Sequence, residues 1–319
     1  MAEYYAFAEL DRAIQSTKDL LWPFQAGIWI RLAIISFFLG WGGGFPQPTW
    51  SSDGDFYGEV FSGLQAPAFP DNVGLILAVI LGIGILALAY ILIGSILQFV
   101  FVDCIATKNV SLSQTFRPRM GKGFRLFLFQ IGITILFLLL IAAVFLPFIL
   151  ASGGLTGFPN VFPRASLLLV MIPLFLIFAV IIALIQLITI DFVVPVMIKK
   201  DCGVIEGWRS IVAAISNDVM QTVIYVIVRF LAALGAGIVM IILTLLLLAI
   251  IAIPFVLVGF FIYTFAVLST IFLIILLGIP YLIIAISAAL MVSVPFITFF
   301  RTYSLMVLGR LSPENALLS

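Results

Sequence analysis

Of the 319 residues, 64% are apolar and 9% charged. Soluble domains run at roughly 45 to 50% and 25%, so a water-soluble globular class is excluded and a bilayer is the solvent for most side chains. A net charge of +1 gives no global basic field for nucleic acid. The absence of histidine removes an imidazole base, a His-ligated zinc and a haem held by a proximal His, and no cofactor is expected.

Glu3, Glu9 and Asp11 precede any hydrophobic run, unlike the positive start of a signal peptide. Tyr4, Phe7, Ala8, Leu10, Ile14 and Leu21 recur at near-helical spacing against Glu9, Asp11, Arg12, Lys18 and Asp19. This pattern predicts an interfacial amphipathic helix over 1–22, with Trp22 and Trp29 at headgroup level. The remainder, 23–319, reads as one transmembrane helical domain.

A helix crossing about 30 Å of hydrocarbon needs about 20 apolar residues. Runs of that length or more predict spans near 24–44, 73–105, 124–152, 165–198, 219–251 and 280–308, an all-α polytopic bundle of about six helices. Runs above 30 residues imply tilt or protrusion, and Pro147, Pro173 and Pro195 are expected kink sites. The uncharged stretch 254–278 is expected to be re-entrant or interfacial, which keeps Arg301 and Arg310 on the inner side.

Orientation follows from the loops. Residues 45–73 hold Asp53, Asp55, Glu59 and Asp71 without a Lys or Arg, whereas 103–125 holds Lys108, Arg117, Arg119, Lys122 and Arg125. The second loop, 199–218, adds Lys199, Lys200 and Arg209, and 153–164 only Arg164. The positive-inside rule then puts both termini and both basic loops in the cytoplasm, giving a multi-pass cell-membrane protein.

The two basic loops are related. Lys108, Phe116 and Arg117 stand at the same spacing as Lys200, Trp208 and Arg209, offset by 92 positions, with Gln114 opposite Glu206. Each block is flanked by long spans, the layout of duplicated units at 73–152 and 165–251. In the second block Ile205, Trp208, Ile211, Val212 and Ile215 share one helical face, opposite Glu206, Arg209 and Ser210. This predicts a short inner-surface helix as an elbow between spans, with Trp208 at the interface and Arg209 reaching phosphates.

Two charges lie inside spans. Asp191 stands eight residues before Lys199 and Arg229 eleven after Asp218, so on antiparallel helices they reach similar depths, roughly 12 and 16 Å at 1.5 Å per residue. An unpaired charge there costs about 2.5 to 3.5 kcal/mol, which predicts an intramembrane ion pair. The repeat partners are Phe99 and Phe137, so both charges change together between the units. The pair reads as structural, with a proton or ion relay as the alternative.

Other motifs carry little chemistry. "GWGGGFP" at 40–46 lacks the Gly-Lys-Ser/Thr ending of a phosphate loop, and "DGD" at 53–55 lacks the spacing of a calcium loop. Cys104 and Cys202 suggest neither a disulfide framework nor a metal site.

The stretches "DFVVPVMIKKDCGVIEGWRSIVAAISND" at 191–218 and "ITFFRTYSLMVLGRL" at 297–311 resemble archaeal integral membrane proteins related to the membrane domain of glycerophosphoryl diester phosphodiesterases. The resemblance implies a six-helix bundle with an aromatic-Arg elbow, a pattern that Pro195, Glu206, Trp208, Arg209, Arg301 and Tyr303 fit. The histidines and metal-binding acids of the soluble phosphodiesterase domain have no counterpart here.

The expected function is therefore non-catalytic: a lipid- or partner-binding scaffold or accessory subunit in the membrane. Its partners would be membrane lipids and a membrane protein, not nucleic acid. The competing class is a transporter or channel for a small or lipid-like substrate using Asp191 and Arg229.

Overall fold

The computed structural model describes residues 4–40, 73–108, 110, 112–151, 165–264 and 270–318. The acidic stretch, the residues after Gly40 in the glycine-rich motif and the 153–164 loop with Arg164 lie outside the described residues. The described chain is helical: α1 (Tyr5–Leu21), α2 (Ala26–Leu39), α3 (Val73–Thr107), α4 (Leu112–Ala151), α5 (Ala165–Ile188), a π turn (Thr189–Val193), α6 (Val194–Lys199), α7 (Val204–Asn217), α8 (Val219–Thr264) and α9 (Thr270–Leu311). Five of these segments are long and apolar enough to cross a membrane, and the protein is a multi-pass membrane protein with an all-α bundle architecture.

Two expected boundaries change. The first span is a helix of 14 residues, about 21 Å long, shorter than the hydrocarbon core. The described part of the stretch 254–278 is continuous helix. It lengthens α8 and α9 to 46 and 42 residues, because a run of apolar residues without a charge gives a helix no reason to stop. Pro254, Pro280 and Pro295 lie inside these helices.

One end of the bundle gathers both termini and both basic loops. Arg31 on α2 donates to Val110 O at 2.6 Å, Lys122 on α4 meets Asp201, and Lys200 meets Glu314. Both loops turn through a left-handed residue, Lys108 at φ 52° and Asp201 at φ 53°. The repeat is unequal past that point. α7 is a separate helix ending at Asn217, whereas its counterpart over 112–125 runs without a break into the α4 span.

The core lies towards this end, built from Ile96–Ile105, Ile190–Met197, Tyr225 and Val228, and Val294–Leu308. Beyond it the apolar side chains of α3, α4, α5, α8 and α9 stand exposed, as lipid-facing residues do. Helix α3 approaches α4 closely where Gly123 faces Ile96 and approaches α2 where Gly94 faces the Phe38 carbonyl.

Helix α1 departs from the sequence reading. It packs mainly on α9 and buries Ala6, Glu9, Ala13 and Thr17, a face on which the two alanines permit close approach, while Phe7 and Ile14 point outward. Glu9, expected on the polar face, is 2% exposed and accepts from Arg12 at 3.0 Å and Arg310 at 2.8 Å. A buried carboxylate needs such donors, and Arg310 supplies one from the far end of the sequence.

Candidate functional site

Pro195 organises the centre of the bundle. Proline has no N–H to offer the carbonyl four residues back, and the helix here widens into the π turn over Thr189–Val193. The Val194 N–H bonds Thr189 O, five residues back. The Ile190 carbonyl is then left without either helical donor, since Val194 is engaged and Pro195 has none. Arg301 of α9 fills that gap. Its Nη1 donates to Ile190 O at 2.6 Å and its Nη2 donates to Gln98 Oε1 on α3.

The same turn presents Asp191 to α8. Asp191 Oδ2 accepts from Tyr225 Oη at 2.7 Å and from Arg229 Nε at 3.0 Å. Tyr225 and Arg229 are four residues apart and therefore share a helix face. The Arg229 guanidinium stands 4.2 Å from the Phe300 ring centroid and that of Arg301 5.8 Å from Phe101, both cation–π geometries. Tyr225 packs on Phe192 and Tyr303, and Tyr303 donates to Ala6 O at 2.9 Å, which ties the site to α1.

Gln98, Asp191, Arg229 and Arg301 each sit eight to ten residues from the loop end of their helical segments, roughly 12 to 15 Å at 1.5 Å per residue. They meet at one level. Asp191 is 2%, Arg301 5% and Arg229 9% exposed. A cavity of ≈ 40 Å³ opens among these four side chains, flanked by Phe101 and Phe300. Chemically the site is a buried guanidinium pair around one carboxylate. Among the described residues no group of His, Cys, Asp or Glu side chains is arranged to hold a metal.

The basic end divides into engaged and exposed cations. Arg119 makes a forked contact with Asp103 at 2.7 and 3.1 Å, Lys122 lies 2.5 Å from Asp201 and donates to Met197 O at 2.8 Å, and Lys200 meets Glu314 at 3.0 Å and Ser210 at 2.9 Å. The hydrogen bond and charge of Lys122 hold the Asp201 carboxyl below the usual carboxylate range, while burial pushes the Cys202 thiol up. Lys108, Arg117, Arg125, Lys199 and Arg209 are exposed and make no ion pair among the described residues. Phe116 packs against the core and Glu206 is exposed.

Trp208 turns its indole towards the protein. Its Nε1 is buried with no acceptor among the described residues, on a face formed with Val204, Gly207 and Ile211. Gly207 lets α7 lie against the π turn, where a Cβ would meet Val193 Cγ1 at 2.9 Å. Ile205 and Val212, expected on the same face as Trp208, point outward, with Ile205 77% exposed.

Sequence spacing singles out Asp191 and Arg229 but not Tyr225, Gln98 or Arg301 as their neighbours. The i, i+4 relation of Tyr225 to Arg229 and the rarity of arginine in an apolar run are the signals that point to them. No curated protein and no solved structure matches the chain. A family model does, over residues 4–318, and the chain belongs to that family, DUF7544, a family of unknown function.

Proposed function

We propose that this is a non-catalytic integral membrane protein that binds anionic lipid headgroups with the end carrying its termini, and that this end faces the cytoplasm. One observation carries the reading: Lys108, Arg117, Arg125, Lys199 and Arg209 are exposed at that end without ion-pair partners among the described residues. Each cation held near an anionic surface contributes about 1 kcal/mol. Helix α7 adds outward Ile205 and Val212 on either side of Arg209, the mixed apolar and basic surface of an interfacial helix. Asp191 is already bonded to Tyr225 and Arg229, which argues against its acting as a catalytic base. A scaffold role beside a membrane protein partner, and kinship with the membrane domains of glycerophosphoryl diester phosphodiesterases, belong to the same proposal.

The test is lipid retention. Protein purified from vesicles containing anionic lipid should keep that lipid, and the triple change Arg117→Gln, Arg125→Gln and Arg209→Gln should reduce retention with topology unchanged. Unchanged retention refutes the reading. Proton or solute flux in vesicles that Asp191→Asn abolishes, with folding intact, would replace it by a transporter.

A further inference from the structure

We propose that the cavity among Gln98, Asp191, Arg229 and Arg301 is a binding site for one small, singly charged anion of halide size. The argument begins with charge. Arginine keeps its proton in proteins, so two guanidinium groups face one carboxylate and a positive charge is left over. Asp191 gives its Oδ2 to Tyr225 and Arg229, and no carboxylate oxygen among the described residues comes within ion-pair distance of Arg301. Among the described residues the acceptors of Arg301 are neutral, the Ile190 carbonyl and the Gln98 amide oxygen. Among the described residues the rest of the wall brings no further acid: Leu39 and Gly40 come from the end of α2, and α9 adds Ile297 and Phe300. In so apolar a setting an uncompensated cation is costly and a counter-ion at hand is strongly favoured.

Size selects the ligand. A volume of ≈ 40 Å³ exceeds the roughly 10 to 15 Å³ that one water requires but falls far below the roughly 300 to 1,000 Å³ of sites for organic ligands. The space is too small to enclose a lipid headgroup. The single surplus charge matches a monovalent anion, and the nearby Asp191 carboxylate weakens the hold, so bromide or chloride should exchange.

Protein in nanodiscs of neutral lipid provides the test, because headgroup binding at the basic end is then silent. Unfolding is followed as bromide replaces gluconate at constant ionic strength. The folded-to-unfolded ratio of the wild type should rise about tenfold for each tenfold increase in bromide above its dissociation constant. Arg301→Gln should lose this dependence, and Asp191→Asn, which leaves two guanidinium groups without an acid, should shift it to lower bromide. No bromide dependence in the wild type, or the same dependence in Arg301→Gln, overturns the proposal. If Arg301→Gln does not fold, anomalous scattering from bromide-grown wild-type crystals decides: a peak between Arg229 and Arg301 supports the site and its absence overturns it.

Discussion

The Arg301 guanidinium donates at 2.6 Å to the Ile190 carbonyl, 111 positions away in sequence. That carbonyl is the acceptor which the π turn and Pro195 together deprive of a helical donor. An irregularity in one helix thus becomes the point at which α9 locks onto it. The second arm of the fork, to Gln98, brings α3 into the same contact.

Arg301→Lys should be destabilising although charge is kept. A lysine ammonium is a compact point donor and cannot reproduce the planar fork across Ile190 O and Gln98 Oε1. The loss of one buried hydrogen bond predicts about 1 to 3 kcal/mol, read by denaturant titration in micelles. Wild-type stability in this variant would show that the fork is dispensable.

Asp191 and Arg229 should behave as a coupled pair. Replacing Asp191 alone by Leu leaves two buried guanidinium groups without an acid, and replacing Arg229 alone takes from the carboxylate its direct ion-pair partner, each at a cost of about 3 to 5 kcal/mol. The double replacement should cost clearly less than the sum of the singles, with Arg301 retaining its own acceptors. Thermal unfolding of the four proteins closes the cycle, and strictly additive losses would argue against direct coupling.

Two glycines on α4 should respond oppositely. A Cβ at Gly123 would strike Ile96 on α3, with Cα at 2.7 Å and Cγ1 closer still, whereas one at Gly121 meets nothing. Gly123→Ala should cost about 1 to 3 kcal/mol through overpacking. Gly121→Ala should gain up to about 1 kcal/mol from reduced backbone freedom in the unfolded chain. Equal melting temperatures for the two variants would refute the close approach of α3 and α4.

Topology is open to cysteine labelling. Ser216 and Gly74 are exposed at opposite ends of the bundle, one within the second basic loop and one after the acidic stretch. An impermeant thiol reagent added outside intact cells should label Gly74→Cys and spare Ser216→Cys until the membrane is opened. The reverse pattern would turn the protein over.

Asp201 should titrate below an ordinary aspartate. Lys122 lowers its folded-state pKa by hydrogen bond and charge, so the link favours folding above the unfolded carboxylate pKa and is lost as pH falls through the folded one. Carbon-detected NMR of labelled aspartate should show the depressed value, and Lys122→Gln should return it towards normal.

The class and the helices were legible because they follow from composition and run length, and a bilayer imposes both. The ion pair was legible too: Asp191 and Arg229 are isolated charges at matched depths, and an apolar medium leaves each needing a partner. The partners contributed by other helices were not. Helices α3, α8 and α9 are apolar on all sides, so periodicity carries no sign of which face turns inward, and Gln98, Tyr225 and Arg301 could not be oriented from spacing. Pro195 marks a kink in any reading. Which acceptor it orphans, and which guanidinium answers, depends on the π turn and on a helix more than a hundred residues away. The burial of Glu9 has the same origin: its position on α1 reads as polar until Arg310, from the other end of the chain, is packed against it.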